Sequence, residues 1–276
     1  MSAGVELGVR ARRAPALNGG RSTRVVLVAA VMLLAVVDAA LITRGHLLAG
    51  AVAEAVLLVF LLNAAGWHHR ASGAAQSAMR ALALLALARL VAAGMPISDV
   101  SEPAAQLMVA VPVGYAALRF APLAGLSVRL FSPSSVLGRR ERVLTDTGVV
   151  LAGAGLGLLA YELDAPALAT AESSSGRIAA AALAVTVTVV VEELVFRGVV
   201  QSALQRIAGR LGAVAATALF ACAYLGGGPA AVVLTIAAAG AVFAYGFARS
   251  GNLYGAIAGH FALALGAFVV WPVLLG

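Results

Sequence analysis

Apolar runs separated by short polar or glycine-rich breaks follow one another along almost the whole chain. In order they cover about 25–42, 47–66, 75–97, 104–125, 147–161, 178–200, 211–226, 229–247 and 252–275. A hydrocarbon core of ~30 Å takes a helix of about 20 apolar residues. Most of the runs have that length, so the pattern predicts an all-α, polytopic transmembrane helix bundle of eight to nine spans. The run 147–161 is short for a crossing, so either its helix begins earlier or it packs inside the bundle. The segments ahead of and between the runs divide the chain into four parts. These are a basic tail over 1–24, N-terminal transmembrane helices over 25–161, an extracytoplasmic loop over 162–177, and a core over 178–272.

Composition agrees with the pattern. The chain is 62% hydrophobic and only 11% charged, and its mean hydropathy is +0.99; a soluble domain of this length needs far more polar surface. All 19 basic residues are arginine, and the net charge is +7. Those arginines fall between the apolar runs and form no single patch, which argues against a nucleic-acid partner and for a role in topology. With the N-terminus in the cytoplasm, the inside loops carry Arg70, Arg129, Arg139, Arg140, Arg142, Arg206, Arg210 and Arg249. The outside loops carry Arg44 and Arg177 among Asp99, Glu102, Glu162, Asp164 and Glu172. That is the positive-inside pattern, and it predicts a multi-pass protein of the cell membrane. The tail, with Arg10, Arg12, Arg13, Arg21, Arg24, Pro15 and Gly19-Gly20, suits a disordered segment lying against anionic lipid. The run 25–42 also has the length of a signal peptide, but the many spans after it favour a retained first helix. One cysteine, Cys222, excludes an internal disulfide and a tetracysteine metal site.

Candidate chemistry is concentrated in IAAAALAVTVTVVVEELVFRGVVQ, residues 178–201. Ionisable groups within a membrane span are functional candidates by default, because an unpaired charge there costs several kcal/mol. Glu192 and Glu193 point about 100° apart on a helix. Glu193 and Arg197 share a face at i,i+4 in the favourable order, which leaves Glu192 without a local partner. A free carboxylate beside a tethered one suits a general base that takes a proton from water. The same spacing also fits a structural ion pair at a helix end, with Glu192 among the headgroups. The inside loop that follows this span puts both glutamates near the cytoplasmic end of their helix.

The run EELVFR at 192–197 resembles the EExxxR signature of the CPBP family, the CAAX-protease and bacteriocin-processing intramembrane proteases. The resemblance covers roughly residues 178–272 and implies an intramembrane endopeptidase. Its glutamates and histidines would act in a membrane cavity open to the cytoplasm, on a membrane-associated peptide or protein. The family's second motif, FxxxH, falls on FACAY at 220–224, where Phe220 matches and Tyr224 stands in the histidine position. The third, HxxxN or HxxxD, falls on HFALA at 260–264, where His260 matches and Ala264 replaces the polar residue. The resemblance thus implies Glu192, Glu193, Arg197, His260 and Tyr224 as site residues, with Glu192 and His260 as ligands to a divalent metal such as zinc. Three protein ligands are usual for a catalytic zinc, so this set is incomplete. A metal-free mechanism has Glu192 activating water while Tyr224 and His260 polarise the scissile carbonyl.

Other polar residues in or beside the runs have ordinary explanations. Glu54 and Arg89 are expected at a similar depth and pair naturally, with Asp38 near them. A lone histidine on an apolar helix is commonly a hydrogen-bonded core residue, and a tyrosine near an interface an aromatic-belt residue. Trp67, His68 and His69 suit the membrane interface. Gly153-xxx-Gly157 fits close helix packing, and Gly226-Gly227-Gly228-Pro229 a tight turn. Two further functions compete with proteolysis. One is a non-catalytic membrane protein of the same fold that binds or helps assemble partner membrane proteins. The other is a proton or cation carrier, though no repeat across the two halves supports it.

Overall fold

The computed structural model describes residues 28–35, 37, 47–67, 73–95, 100–123, 137–225 and 229–276. The tail, most of the run 25–42 with Asp38, and also Arg44, His68, His69, Arg70, Asp99, Arg129 and Gly226 to Gly228 lie outside the described residues. Among those described there is no strand. The long elements are α1 (Leu47–Trp67), α2 (Gly73–Gly94), α3 (Glu102–Leu123), α4 (Arg139–Glu162) and α5 (Ser175–Ala208). They are followed by α6 (Arg210–Cys222), α7 (Ala230–Ser250) and α8 (Tyr254–Leu275). Seven of these are long and apolar enough to cross a bilayer, making this a multi-pass membrane protein. From the first apolar run, residues 28–35 are helical, and Ala30 and Leu34 are buried in the core.

Three boundaries differ from those predicted. The short run at 147–161 is the C-terminal part of a 24-residue helix that starts at Arg139. Arg139, Arg140 and Arg142 give its first turns the look of a loop. The run at 211–226 forms a helix of only 13 residues, a rise of about 20 Å at 1.5 Å per residue. That helix alone does not cross the membrane. The span expected to end at 200 continues to Ala208 as part of a 34-residue helix. Its polar residues do not end it because each finds a backbone acceptor inside the protein: Gln201 Nε2 donates to the Ala244 carbonyl at 3.0 Å and Ser202 Oγ to that of Arg197 at 3.0 Å. Glu192 therefore lies near the middle of α5 and not near its C-terminal end, the end expected to be cytoplasmic.

Short signals set the helix ends. Ser174 caps α5 by accepting from the Arg177 N–H at 3.3 Å, as an N-cap serine does. Gly251 closes α7 in the left-handed region at φ 69°, its N–H bonded to the Phe247 carbonyl at 2.8 Å, a conformation that favours glycine. Between Glu162 and α5, the N–H of Leu168 donates to the Phe268 carbonyl at 2.8 Å. That carbonyl sits where α8 widens into a π turn over Gly266–Val270, and the bond ties the connecting segment to the end of α8.

α5 joins two apolar cores. Ala181, Val185 and Val189 on its first half pack with Val149 of α4, Ala239 and Phe243 of α7, and Leu263 of α8. Leu194, Val195, Val199 and Val200 on its second half pack with residues of α1, α2, α3 and α6. The changeover falls at Glu192 and Glu193, where α5 widens into π turns over Leu194–Gln201. π segments inside α-helices often mark functional sites.

α4 and α8 approach at glycine. A Cβ on Gly153 would collide with the Gly259 carbonyl, and one on Gly157 would come within 2.7 Å of the Leu263 carbonyl oxygen. The Gly153-xxx-Gly157 pattern is thus a helix-packing surface. Gly153→Val should destabilise the detergent-solubilised protein by at least the ~1–3 kcal/mol typical of overpacking. Gly155→Ala, at an exposed position with nothing within 4 Å, should leave thermal unfolding unchanged. Equal melting of the two variants would contradict this packing.

Candidate active site

The half-length of α6 lets three distant residues meet. From Arg210 its axis rises about 18 Å to Cys222, and the turn after it delivers Tyr224 to the middle of α5. There the Tyr224 hydroxyl donates to Glu192 Oε2 at 2.6 Å. The same oxygen lies 3.6 Å from His260 Nε2. Glu192, unpartnered on its own helix, finds its partner 32 residues further along the chain.

Behind this contact is a fully buried layer. Glu193 Oε1 lies 2.9 Å from His260 Nδ1, and its other oxygen 3.4 Å from Arg197 Nε. A carboxylate only accepts hydrogen bonds, so the Nδ1–H donates to Glu193, and in the neutral ring Nε2 presents its lone pair towards Glu192. Arg197 Nη2 donates to the Gly240 carbonyl at 3.1 Å. With the Gln201 bond to Ala244 one turn on, this fastens the π segment to α7. Phe220 supports the set: Arg197 lies 4.7 Å above its ring, and His260 and Tyr224 pack on it at 5.6 and 5.2 Å between ring centroids. Phe243 stacks on the imidazole at 5.2 Å.

Exposure separates the two glutamates. The Glu193 side chain is 0% exposed and that of Glu192 25%, so only the second is available to water or substrate. It opens into two cavity lobes that share Glu102, Gln106, Thr188, Glu192 and Tyr224. One lobe, of about 310 Å³, continues past His260, Ile236, Ala264 and Phe268. The other, of about 400 Å³, continues past Arg89, Val113, Val191 and Phe196. Glu192, Tyr224 and His260 all face the first. All five residues singled out in the sequence thus occupy one constellation, with Glu193 and Arg197 behind the wall and the other three on it.

Four contributors were not singled out. Arg89, read as a partner for Glu54, lines the second lobe together with Glu192. Thr188 lies one turn before Glu192 on the same face, a spacing that could have revealed it. Gln106 and Glu102 come from a distant helix and carry no local signal.

The donor set does not fit a three-ligand metal. Among the described residues no three His, Cys, Asp or Glu side chains form a metal-holding group. Glu193 is occupied by Arg197 and Nδ1 of His260, Ala264 offers no donor, and the Tyr224 hydroxyl is given to Glu192. Glu192 and His260, the two expected ligands, remain a pair.

Residues 174–266 match a family model described as type II CAAX prenyl endopeptidase, Rce1-like. The stretch begins at the cap of α5, ends in α8 and contains all five residues above. It bears out the resemblance read from EELVFR, and over this stretch the chain is similar to intramembrane CAAX proteases. No curated protein and no solved structure gives a significant match.

Arg197→Met should cost ~3–5 kcal/mol, the usual result of stripping a buried carboxylate of its partner. Adding Glu193→Gln should recover part of that loss. Thermal unfolding of both single variants and the double variant checks the coupling, and purely additive losses would contradict it.

Proposed function

We propose that the chain is an intramembrane endopeptidase in which Glu192 activates the water that attacks a peptide bond of a membrane-associated polypeptide. One observation carries this reading: the Glu192 carboxylate, the Tyr224 hydroxyl and Nε2 of His260 converge where two cavity lobes meet. A peptide laid across both lobes has its scissile carbonyl at that junction.

Glu192 takes a proton from water as the water oxygen bonds to the carbonyl carbon. The carbonyl oxygen becomes an oxyanion facing the His260 Nε2–H and the Tyr224 O–H, placed as preorganised donors. Glu192 then passes its proton to the leaving nitrogen as the C–N bond breaks, giving a carboxylic acid and an amine. In this role His260 carries both ring protons. Its charge and that of Arg197 balance the two glutamates, so the buried set is neutral, as a low-dielectric interior favours. Tyr224 reaches the oxyanion by turning its O–H away from Glu192, which needs no movement of the ring.

In detergent, with fluorogenic peptide pools, Glu192→Gln and His260→Ala should reduce cleavage to background. Tyr224→Phe should lower the rate by ~10²–10³-fold, the usual effect of losing one oxyanion donor. Indistinguishable cleavage by wild type, Glu192→Gln and His260→Ala would defeat the proposal.

A second reading is favoured by the Tyr224 contact itself, which closes on Glu192 at 2.6 Å at the position where the CPBP motif has a histidine. On this reading the scaffold is non-catalytic and binds or helps assemble partner membrane proteins. Glu192→Gln then leaves the cellular phenotype intact, and the double change Tyr224→His, Ala264→Asn gains a cleavage activity that the wild type lacks.

A further inference from the structure

The cavity has a side. Its lining comes from the first turns of α3 (Glu102, Gln106), the segment before α5 (Pro166, Leu168), the start of α7 (Val232, Val233), and the last turns of α2 (Arg89, Ala92) and α8 (Phe268). In an up-and-down bundle these ends share one face. The opposite ends of the same helices carry Arg80 in α2, Arg119 in α3, Arg139, Arg140 and Arg142 in α4, Arg206 in α5 and Arg249 in α7, while Arg210 begins α6. Near the mouth the described residues hold Arg89 within the cavity and Arg177 at its rim, beside Glu102, Glu162, Asp164 and Glu172. Arginines near the ends of spans mark the cytoplasmic face, and acidic residues contribute little to that bias.

We propose that the cavity opens away from the cytoplasm, so that the substrate is the outward-facing, translocated part of a membrane-associated polypeptide. The substrate half rests on the endopeptidase reading; the orientation half stands without it. The resemblance implied access from the cytoplasm, and the position of the mouth argues against that. Glu192 lies 16 residues from the end of α5 at Ala208, a rise of ~24 Å. Val195 and Phe196 still line the second lobe, but from Arg197 on the π segment lines neither lobe, and Val199, Val200 and Gln201 are buried. Val185, Thr188 and Val189, which precede Glu192, line the open lobe instead. A substrate coming from the arginine-bearing face would have to pass Glu193, Arg197 and Gln201, all fully buried. From the other face it meets Glu102 and Gln106 and then Glu192.

The test uses the full chain with Cys222→Ser, leaving no native cysteine, in right-side-out membrane vesicles. Single cysteines are placed at Glu172 on the mouth side, at Gln106 within the cavity and at Glu141 on the arginine side. A small membrane-impermeant thiol reagent should label Glu172→Cys and Gln106→Cys in sealed vesicles, and Glu141→Cys only after permeabilisation. Labelling of Glu141→Cys in sealed vesicles, with Glu172→Cys protected until lysis, overturns the orientation whether or not the protein is a protease. For the substrate, new termini that appear in wild-type cells and are lost in Glu192→Gln cells should fall in outward-facing segments. Glu192-dependent termini in cytoplasmic segments overturn the substrate class while leaving the endopeptidase reading intact. Outward labelling together with no Glu192-dependent termini overturns the substrate proposal along with the endopeptidase reading, while the orientation stands.

Discussion

A carboxylate with no exposed surface, placed in the middle of a membrane helix, needs compensation from every side. Glu193 receives it from Arg197 on its own helix and from His260 on α8. Much of the C-terminal half follows from that requirement. Arg197 in turn needs an acceptor, which the Gly240 carbonyl of α7 supplies, and α7 must come close enough to offer it. Close approach has its own sequence cause: Gly240 sits against Phe220, where a Cβ would come within 2.7 Å of the ring. The buried ion cluster and the small residues around it therefore depend on each other. A larger side chain at 240 would push away the ring on which the guanidinium rests.

This fixed layer sets the surroundings of the half-buried glutamate beside it. Glu193 holds the imidazole by one nitrogen, so the other is aimed at the cavity, an arrangement like that by which a buried acid orients the histidine of a hydrolytic triad. Phe220 and Phe243 pack on the ring from two sides and limit its rotation. Adjacent in sequence and about 100° apart on the helix, the two glutamates differ in exposure because one faces packed protein and the other faces a cavity. α5 can present both at one level because the change from one apolar core to the other falls at that point, leaving a seam that the two cavity lobes occupy.

Much of this was legible in the residues, because it depends on local spacing. The all-helical membrane bundle follows from the length of the apolar runs. The pairing of Glu193 with Arg197 follows from i,i+4 geometry, and the role of Gly153 and Gly157 from their own four-residue spacing. The depth of the site was not legible, for a physical reason. Reading the span as ending at 200 assumed that Arg197, Gln201 and Ser202 mark an exit to water, whereas each donates to a backbone carbonyl within the protein. Polar residues end a span only when the protein offers them no acceptor, and single-sequence hydropathy cannot see an acceptor on another helix. The same blindness hid Arg89 and Gln106, whose relation to Glu192 is created by packing between helices far apart in the chain.

Tyr224 shows how one such boundary changes the chemistry. With α6 as a full crossing, this tyrosine belongs at the far interface, where an aromatic residue is ordinary. With α6 as a 13-residue helix that stops short, it is delivered to the level of Glu192 and becomes the nearest polar neighbour of the candidate base. A histidine there would present a ring nitrogen able to bind a metal. The phenol presents a proton donor, and its hydrogen bond occupies the carboxylate oxygen that also faces His260. A phenol at this position donates to an oxygen, where an imidazole nitrogen could bind a cation. On the proposed reading, the groups that meet at this point are two hydrogen-bond donors, Tyr224 and His260, and the carboxylate of Glu192 between them.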